Sequence, residues 1–170
     1  MDCGPTCLRM IAKHYGKSYT LQYLRENSFI TREGVSLLGI SDAAERIGFL
    51  TTGVKITLTQ LEEEMLLPCI LHWNQNHFVV CYKITGKGIR SKFHIADPSI
   101  GKITYTETEI RKHWLSSKCE GEDVGIALHL EPGPNFNDVK DEHDLNTRDI
   151  KYFLRYILPY KRQILLLLLG

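Results

Sequence analysis

The chain has 170 residues, with 21 Lys+Arg against 20 Asp+Glu and a formal net charge of +1. That length suits one domain with a short extension, and the balanced charge gives no case for a nucleic-acid partner. Five cysteines, odd in number and without paired spacing, indicate free thiols in a reducing compartment, and the first residues do not read as a secretory signal.

In chain order, residues 5–14 predict a helix. Pro5 suits a first helical turn, Leu8, Ile11, Ala12 and Tyr15 recur at helical spacing, and Gly16 closes it. Cys3 and Cys7 flank its start. A thiol at a helix N-terminus meets unpaired N–H groups and the positive end of the helix dipole, and both favour the thiolate. Cys7 lies one turn further in and reads as packed. Residues 20–26 predict a second helix with Thr20 as its cap, residues 31–34 a turn, and residues 36–47 a third helix stopped by Gly48. A short extended piece covers 49–54. Another helix is expected over 59–65, capped by Thr59 with Glu62 three residues on.

The pattern then turns to strands. Residues 69–73 and 77–84 are apolar and β-branched, separated by Asn74-Gln75-Asn76. Cys69 and Cys81 fall inside these runs and read as small buried hydrophobes. Further strands are expected at 92–97, ended by Pro98, and at 102–105. Residues 106–114 read as a helix and 124–130 as a last strand. Helices first and an antiparallel sheet second indicate an α+β domain over residues 1–132.

Residues 133–148 are polar and read as a linker. Residues 149–160 are amphipathic and aromatic, and 164–169 are wholly apolar. Spanning a bilayer takes roughly 20 apolar residues, so 149–170 is read as an amphipathic elbow followed by the beginning of a transmembrane helix. Lys151, Arg155, Lys161 and Arg162 precede the apolar run and place the domain on the cytoplasmic side.

A cysteine nucleophile needs a base and a group that orients the base. His77 opens one strand and Asp97 closes the next. An antiparallel hairpin between them would bring both to one edge of the sheet. Other histidines compete. His72 could be imagined as a metal partner of His77, but no Cys or carboxylate cluster accompanies them, and no metal site is expected. His94 lies three residues from Asp97 and so points to the opposite face of a strand. His14, His113, His129 and His143 stand in surface-like contexts. A redox or metal role for the Cys3–Cys7 pair is the competing reading of the first turn.

These residues resemble a known family. Asp2-Cys3-Gly4-Pro5-Thr6-Cys7-Leu8, Gly34-Val35-Ser36-Leu37-Leu38-Gly39, His72-Trp73-Asn74-Gln75-Asn76-His77-Phe78-Val79-Val80 and Ile95-Ala96-Asp97-Pro98 are similar, in that order, to the N-terminal peptidase domain of bacteriocin-processing ABC exporters, the double-glycine leader peptidases. The resemblance implies a papain-like fold, with Cys3 as nucleophile, His77 as base and acid, and Asp97 as orienter. It implies cleavage of a leader peptide after a Gly-Gly pair, and recognition of the leader through its amphipathic helix. It also implies partner membrane and ATPase domains, a dimeric full-length exporter at the cytoplasmic face of the bacterial inner membrane, and no cofactor in the peptidase domain, ATP and Mg belonging to the ATPase domain. In the family a glutamine about six residues before the nucleophile helps hold the oxyanion. Met1 stands two residues before Cys3, so that glutamine is expected upstream of Met1, and the Cys3 backbone N–H is the remaining candidate donor. The second reading is a weak or inactive domain that only docks substrate, and a papain-like amidase with a small substrate is a third.

Overall fold

The computed structural model describes residues 2–29 and 34–139. Three helices come first: α1 (Cys3–His14), α2 (Leu21–Asn27) and α3 (Leu37–Arg46). β1 (Phe49–Ile56) and α4 (Leu58–Glu63) lead into β2 (Cys69–Trp73), β3 (His77–Thr85), a 3-10 turn (Gly88–Arg90), β4 (Lys92–Asp97) and β5 (Gly101–Thr106). α5 (Glu107–Trp114), β6 (Leu115–Cys119) and β7 (Glu122–Pro132) complete the order.

The strands form one antiparallel sheet in the order β1-β7-β2-β3-β4-β5, with β6 paired to the beginning of β7. Alternating strand residues feed two cores, one on each face. On one face Ile70, Phe78, Val80, Leu128 and Leu130 pack with Cys7, Leu8 and Ile11 of α1 and with Ile40, Ala43 and Ala44 of α3. On the other, Leu71, Val79, Cys81, Phe93, Ile95 and Ala127 pack with Leu58 and Leu61 of α4 and with Ile110 and Trp114 of α5. The architecture is α+β with a papain-like fold, as expected. Helices cover both faces of the sheet, α1 and α3 on one and α4 and α5 on the other.

Three local expectations are corrected. The fourth helix is capped by Thr57, whose partner in the capping box is Gln60. Thr57 and Thr59 each carry the capping pattern, and the earlier start wins because it buries both Leu58 and Leu61 on the second core. β6 was not expected. Its Leu-Ser-Ser-Lys-Cys sequence has no apolar alternation, and it exists through pairing with β7 across a turn at Glu120 and Gly121, both at positive φ. The last strand is also longer than predicted, because its polar beginning is held by β6.

The first part of the expected linker packs on the domain. Residues 133–139 form turns, Phe136 is buried against Tyr15 and Phe49, and Lys17 Nζ donates to the Val139 carbonyl at 2.8 Å. Most of the expected turn at 31–34 and the elbow and apolar run at 149–170 lie outside the described residues. Among the described residues, no helix is long and apolar enough to cross a membrane.

Gly4 shows why the first turn of α1 takes this sequence. A Cβ there would stand 2.4 Å from Val35 Cγ1 and 2.7 Å from Ile40 Cδ1. The helix start therefore sits directly on α3 and the segment before it. Gly4→Ala is expected to lower stability by about 1–3 kcal/mol through overpacking, measured as a fall in the urea midpoint at unchanged m-value.

Candidate active site

Cys3 is the first residue of α1 and 8% exposed. The first helical hydrogen bond runs from Thr6 N–H to the Asp2 carbonyl at 3.0 Å. The N–H groups of Cys3 and Gly4 thus lie ahead of the helical ladder, and Pro5 has none. Asp2, the N-cap residue, makes no side-chain cap bond. Its carboxylate is bound by Arg25 of α2, with Arg25 Nε donating to Oδ1 at 2.8 Å.

His77 opens β3 and Asp97 ends β4. Antiparallel pairing of Val80 with Ala96 and Cys81 with Ile95 puts the beginning of one strand beside the end of the other. There His77 Nε2 lies 2.9 Å from Asp97 Oδ1. The same oxygen accepts the Ser99 backbone N–H at 2.7 Å. Asp97 is 6% exposed, so its carboxylate is fixed by these two partners rather than by bulk water. With Nε2 engaged, Nδ1 is the nitrogen left for a thiol.

Cys7 joins the helix to this edge. Its buried thiol donates to the Phe78 carbonyl at 3.2 Å, next to His77, one helical turn from Cys3. Burial pushes the Cys7 thiol well up, and the nearby Cys3 and Asp97 push the same way. The structure thus pairs His77 with Asp97 at the β3–β4 edge, and the Cys7–Phe78 bond ties to that edge the helix whose first residue is Cys3. Cys7 is packing, as anticipated.

Two of the competing histidines, His72 and His94, are placed away from a metal role, and His143 lies outside the described residues. His72 pairs with Phe78 and Trp73 with His77 across β2 and β3, so His72 and His77 lie on opposite faces and cannot converge on a metal. The His72 ring rests on Phe78 with centroids 5.1 Å apart, and burial lowers its pKa. His94 stands 3.1 Å from each of the Thr85 and Thr104 hydroxyls, a structural role. Among the described residues, no group of three or more His, Cys, Asp or Glu is placed to hold a metal ion.

Two supports were missed by sequence reasoning. The turn before His77 carries Asn74 and Gln75 at φ 48° and 62°, a conformation that persists only when its surroundings hold it. α5 supplies that hold. Asn74 N–H donates to the His113 carbonyl at 2.8 Å, Asn74 Oδ1 lies 3.0 Å from His113 Nδ1, and the His113 ring stacks on Trp73. His113 is therefore no surface bystander, and at 39 residues' separation no local signal announces it. The Ser99 N–H on Asp97 was readable, because Asp-Pro-Ser is an Asx-turn pattern.

The thiols make a direct test. Burial pushes Cys7 and Cys69 well up and Cys81 up to about 12, so in the folded protein at neutral pH they stay protonated and unreactive. Iodoacetamide is expected to label only Cys3 and the exposed Cys119 in the native state, and all five cysteines after denaturation, as read by peptide mass spectrometry.

Residues 1–118 match the Peptidase C39 family. Among curated proteins, the chain is 34% identical over 135 residues to the colicin V secretion/processing ATP-binding protein CvaB of Escherichia coli, covering 79% of this chain and 17% of that protein. It is 41% identical over 118 residues to the lactococcin-G-processing and transport ATP-binding protein LagD of Lactococcus lactis subsp. lactis, covering 66% and 16%. The chain thus spans about a sixth of the length of these relatives. Among solved structures, it is similar to a double glycine motif protease from an AMS/PCAT transporter in complex with the leader peptide. The TM-score is 0.67 at 30% identity, covering 77% of this chain and 84% of that one. The peptidase domain of Streptococcus ComA, a bi-functional ABC transporter, gives a TM-score of 0.61 at 30% identity, covering 77% and 91%. With the family pattern running from residue 1 to 118 over a domain that pairs His77 with Asp97, the chain belongs to the peptidase C39 family.

Proposed function

We propose that this domain is a cysteine endopeptidase that removes a leader peptide after a Gly-Gly pair, as part of a peptide-exporting ABC transporter. The observation that carries the reading is the 2.9 Å His77–Asp97 pair, at the sheet edge to which Cys7 ties the helix that begins with Cys3.

In this reading His77 takes the Cys3 proton and Sγ attacks the carbonyl carbon of the second glycine. The oxyanion forms at the start of α1, where the Cys3 N–H and the helix dipole stabilise negative charge. The tetrahedral species collapses as His77 gives the proton to the departing amine, and the leader stays on Sγ as a thioester. Water, deprotonated by His77, then attacks the thioester carbonyl and releases the leader acid and the thiol. Asp97 keeps Nε2–H engaged, so that Nδ1 faces the thiol. Glycine suits the two positions before the cut because a narrow cleft admits an extended backbone without side chains.

The thiol and imidazole supply this chemistry without a cofactor, and ATP with Mg is assigned to a separate ATPase domain of the full-length exporter. The length of the relatives supports attachment to membrane and ATPase domains. The basic residues Lys151, Arg155, Lys161 and Arg162 ahead of the apolar run support placement at the cytoplasmic face of the membrane, and a dimer is assigned to the full-length exporter.

The test is incubation with a synthetic leader ending in Gly-Gly joined to a short cargo, with products weighed by mass spectrometry. The expected result is a single cut after the second glycine, lost on treatment with iodoacetamide. Leader binding without any cut would favour the substrate-docking domain instead.

A further inference from the structure

An aspartate at an N-cap ordinarily accepts an N–H from the second or third helical residue. In α1 the third is Pro5, which has no N–H, so the Gly4 N–H is the one such donor within reach of Asp2. Asp2 does not take it. Arg25 Nε donates to Asp2 Oδ1 at 2.8 Å and Arg25 Nη2 donates to Oδ2, a two-point grip that draws the carboxylate towards α2 and holds its pKa below the usual range. Both side chains are close to half-exposed, at 43% and 44%, so the ion pair adds little stability. Its consequence lies in where the carboxylate would otherwise go.

We propose that Arg25 is a positioning residue for the nucleophile: by holding the Asp2 carboxylate towards α2, it keeps a negative charge away from the start of α1 and from Cys3. This rests on the reading of Cys3 as nucleophile. With Arg25 removed, the Asp2 carboxylate turns back to cap Gly4 N–H. That one movement brings a negative charge to the helix start where the oxyanion forms, and sets a like charge beside the thiolate that must form. Pro5 sharpens the effect, because it leaves the freed carboxylate no third-position donor further into the helix. The harm comes from the carboxylate, so removing its charge undoes the harm even though the ion pair stays broken.

The test compares Arg25→Gln, Asp2→Asn and the double variant. The readouts are kcat and KM on a Gly-Gly leader peptide and the rate of iodoacetamide reaction at Cys3 by mass spectrometry. Arg25→Gln is expected to lower kcat by about 10- to 100-fold, short of losing a whole oxyanion donor, with KM unchanged and slower alkylation of Cys3. Asp2→Asn alone stays near the unaltered protein, and the double variant recovers both kcat and alkylation rate. An Arg25→Gln loss that Asp2→Asn does not reverse overturns the proposal, because a strap between α1 and α2 would behave that way. An equal loss in Asp2→Asn alone, or an unchanged Arg25→Gln protein, overturns it too. Should Arg25→Gln fail to fold, Arg25→Lys with and without Asp2→Asn gives the same comparison, since lysine keeps the charge and loses the two-point grip. If the unaltered chain cuts no leader, the peptidase reading fails by itself, and the alkylation rates alone decide the role of Arg25.

Discussion

Cys3→Ala is expected to abolish leader cleavage, with kcat reduced on the order of 10⁶-fold, the scale seen when a triad loses its nucleophile. The loss should fall on kcat, with leader affinity retained, because the sulfur atom is the only group that forms a bond to the substrate. Folding should survive. Cys3 is 8% exposed at the edge of the first core, and alanine suits a helical position at least as well. The contacts that seat the helix start belong to Gly4, which rests on Val35 and Ile40, and to Cys7, bonded to the Phe78 carbonyl. Cleavage kinetics and a calorimetric dissociation constant for the leader check both halves. A Cys3→Ala protein that still cuts would show that the thiol is not the nucleophile. Cys7→Ser provides the contrast. It keeps a donor for Phe78 and should alter stability more than chemistry, whereas a redox or metal role for the Cys3–Cys7 pair would make it as damaging as Cys3→Ala.

Asp97→Ala is expected to lower kcat on the order of 10⁴-fold, the scale of a triad that loses its orienter, while Asp97→Asn should lose far less. The distinction follows from one oxygen. Oδ1 receives both His77 Nε2 at 2.9 Å and the Ser99 N–H at 2.7 Å. An asparagine side-chain oxygen can accept both bonds in the same place, with the Ser99 N–H selecting oxygen over nitrogen at that position. Alanine removes the acceptor and leaves the imidazole free to rotate away from the thiol. It also leaves the Ser99 N–H without its partner, so the Pro98–Gly101 turn loosens as well. Single-turnover cleavage by the two variants checks this, and equal losses would mean that the negative charge matters and the geometry does not.

Local signals in the chain announced much of this site. Proline in the first turn and apolar residues at helical spacing put a helix after Cys3, and that placement alone aims a helix N-terminus at the thiol. A strand beginning at His77 and another stopped by Pro98 after Asp97, joined by a glycine-bearing turn, already required the two side chains to share a sheet edge. These features are legible because each is set by residues within a few positions of one another. The choice of Thr57 over Thr59 as a helix cap was not, because both satisfy the local rule and only burial of Leu58 and Leu61 on the sheet separates them. β6 has no apolar pattern of its own and is a strand because β7 lies beside it. The Asp2–Arg25 grip and the His113 hold on the Asn74 turn join positions 23 and 39 residues apart. The sequence by itself thus determined which groups could do the chemistry and which elements carry them. Only the tertiary structure decided what holds those groups in place, because contacts between distant positions depend on how helices and strands pack, and that packing leaves no mark on the neighbouring residues of the chain.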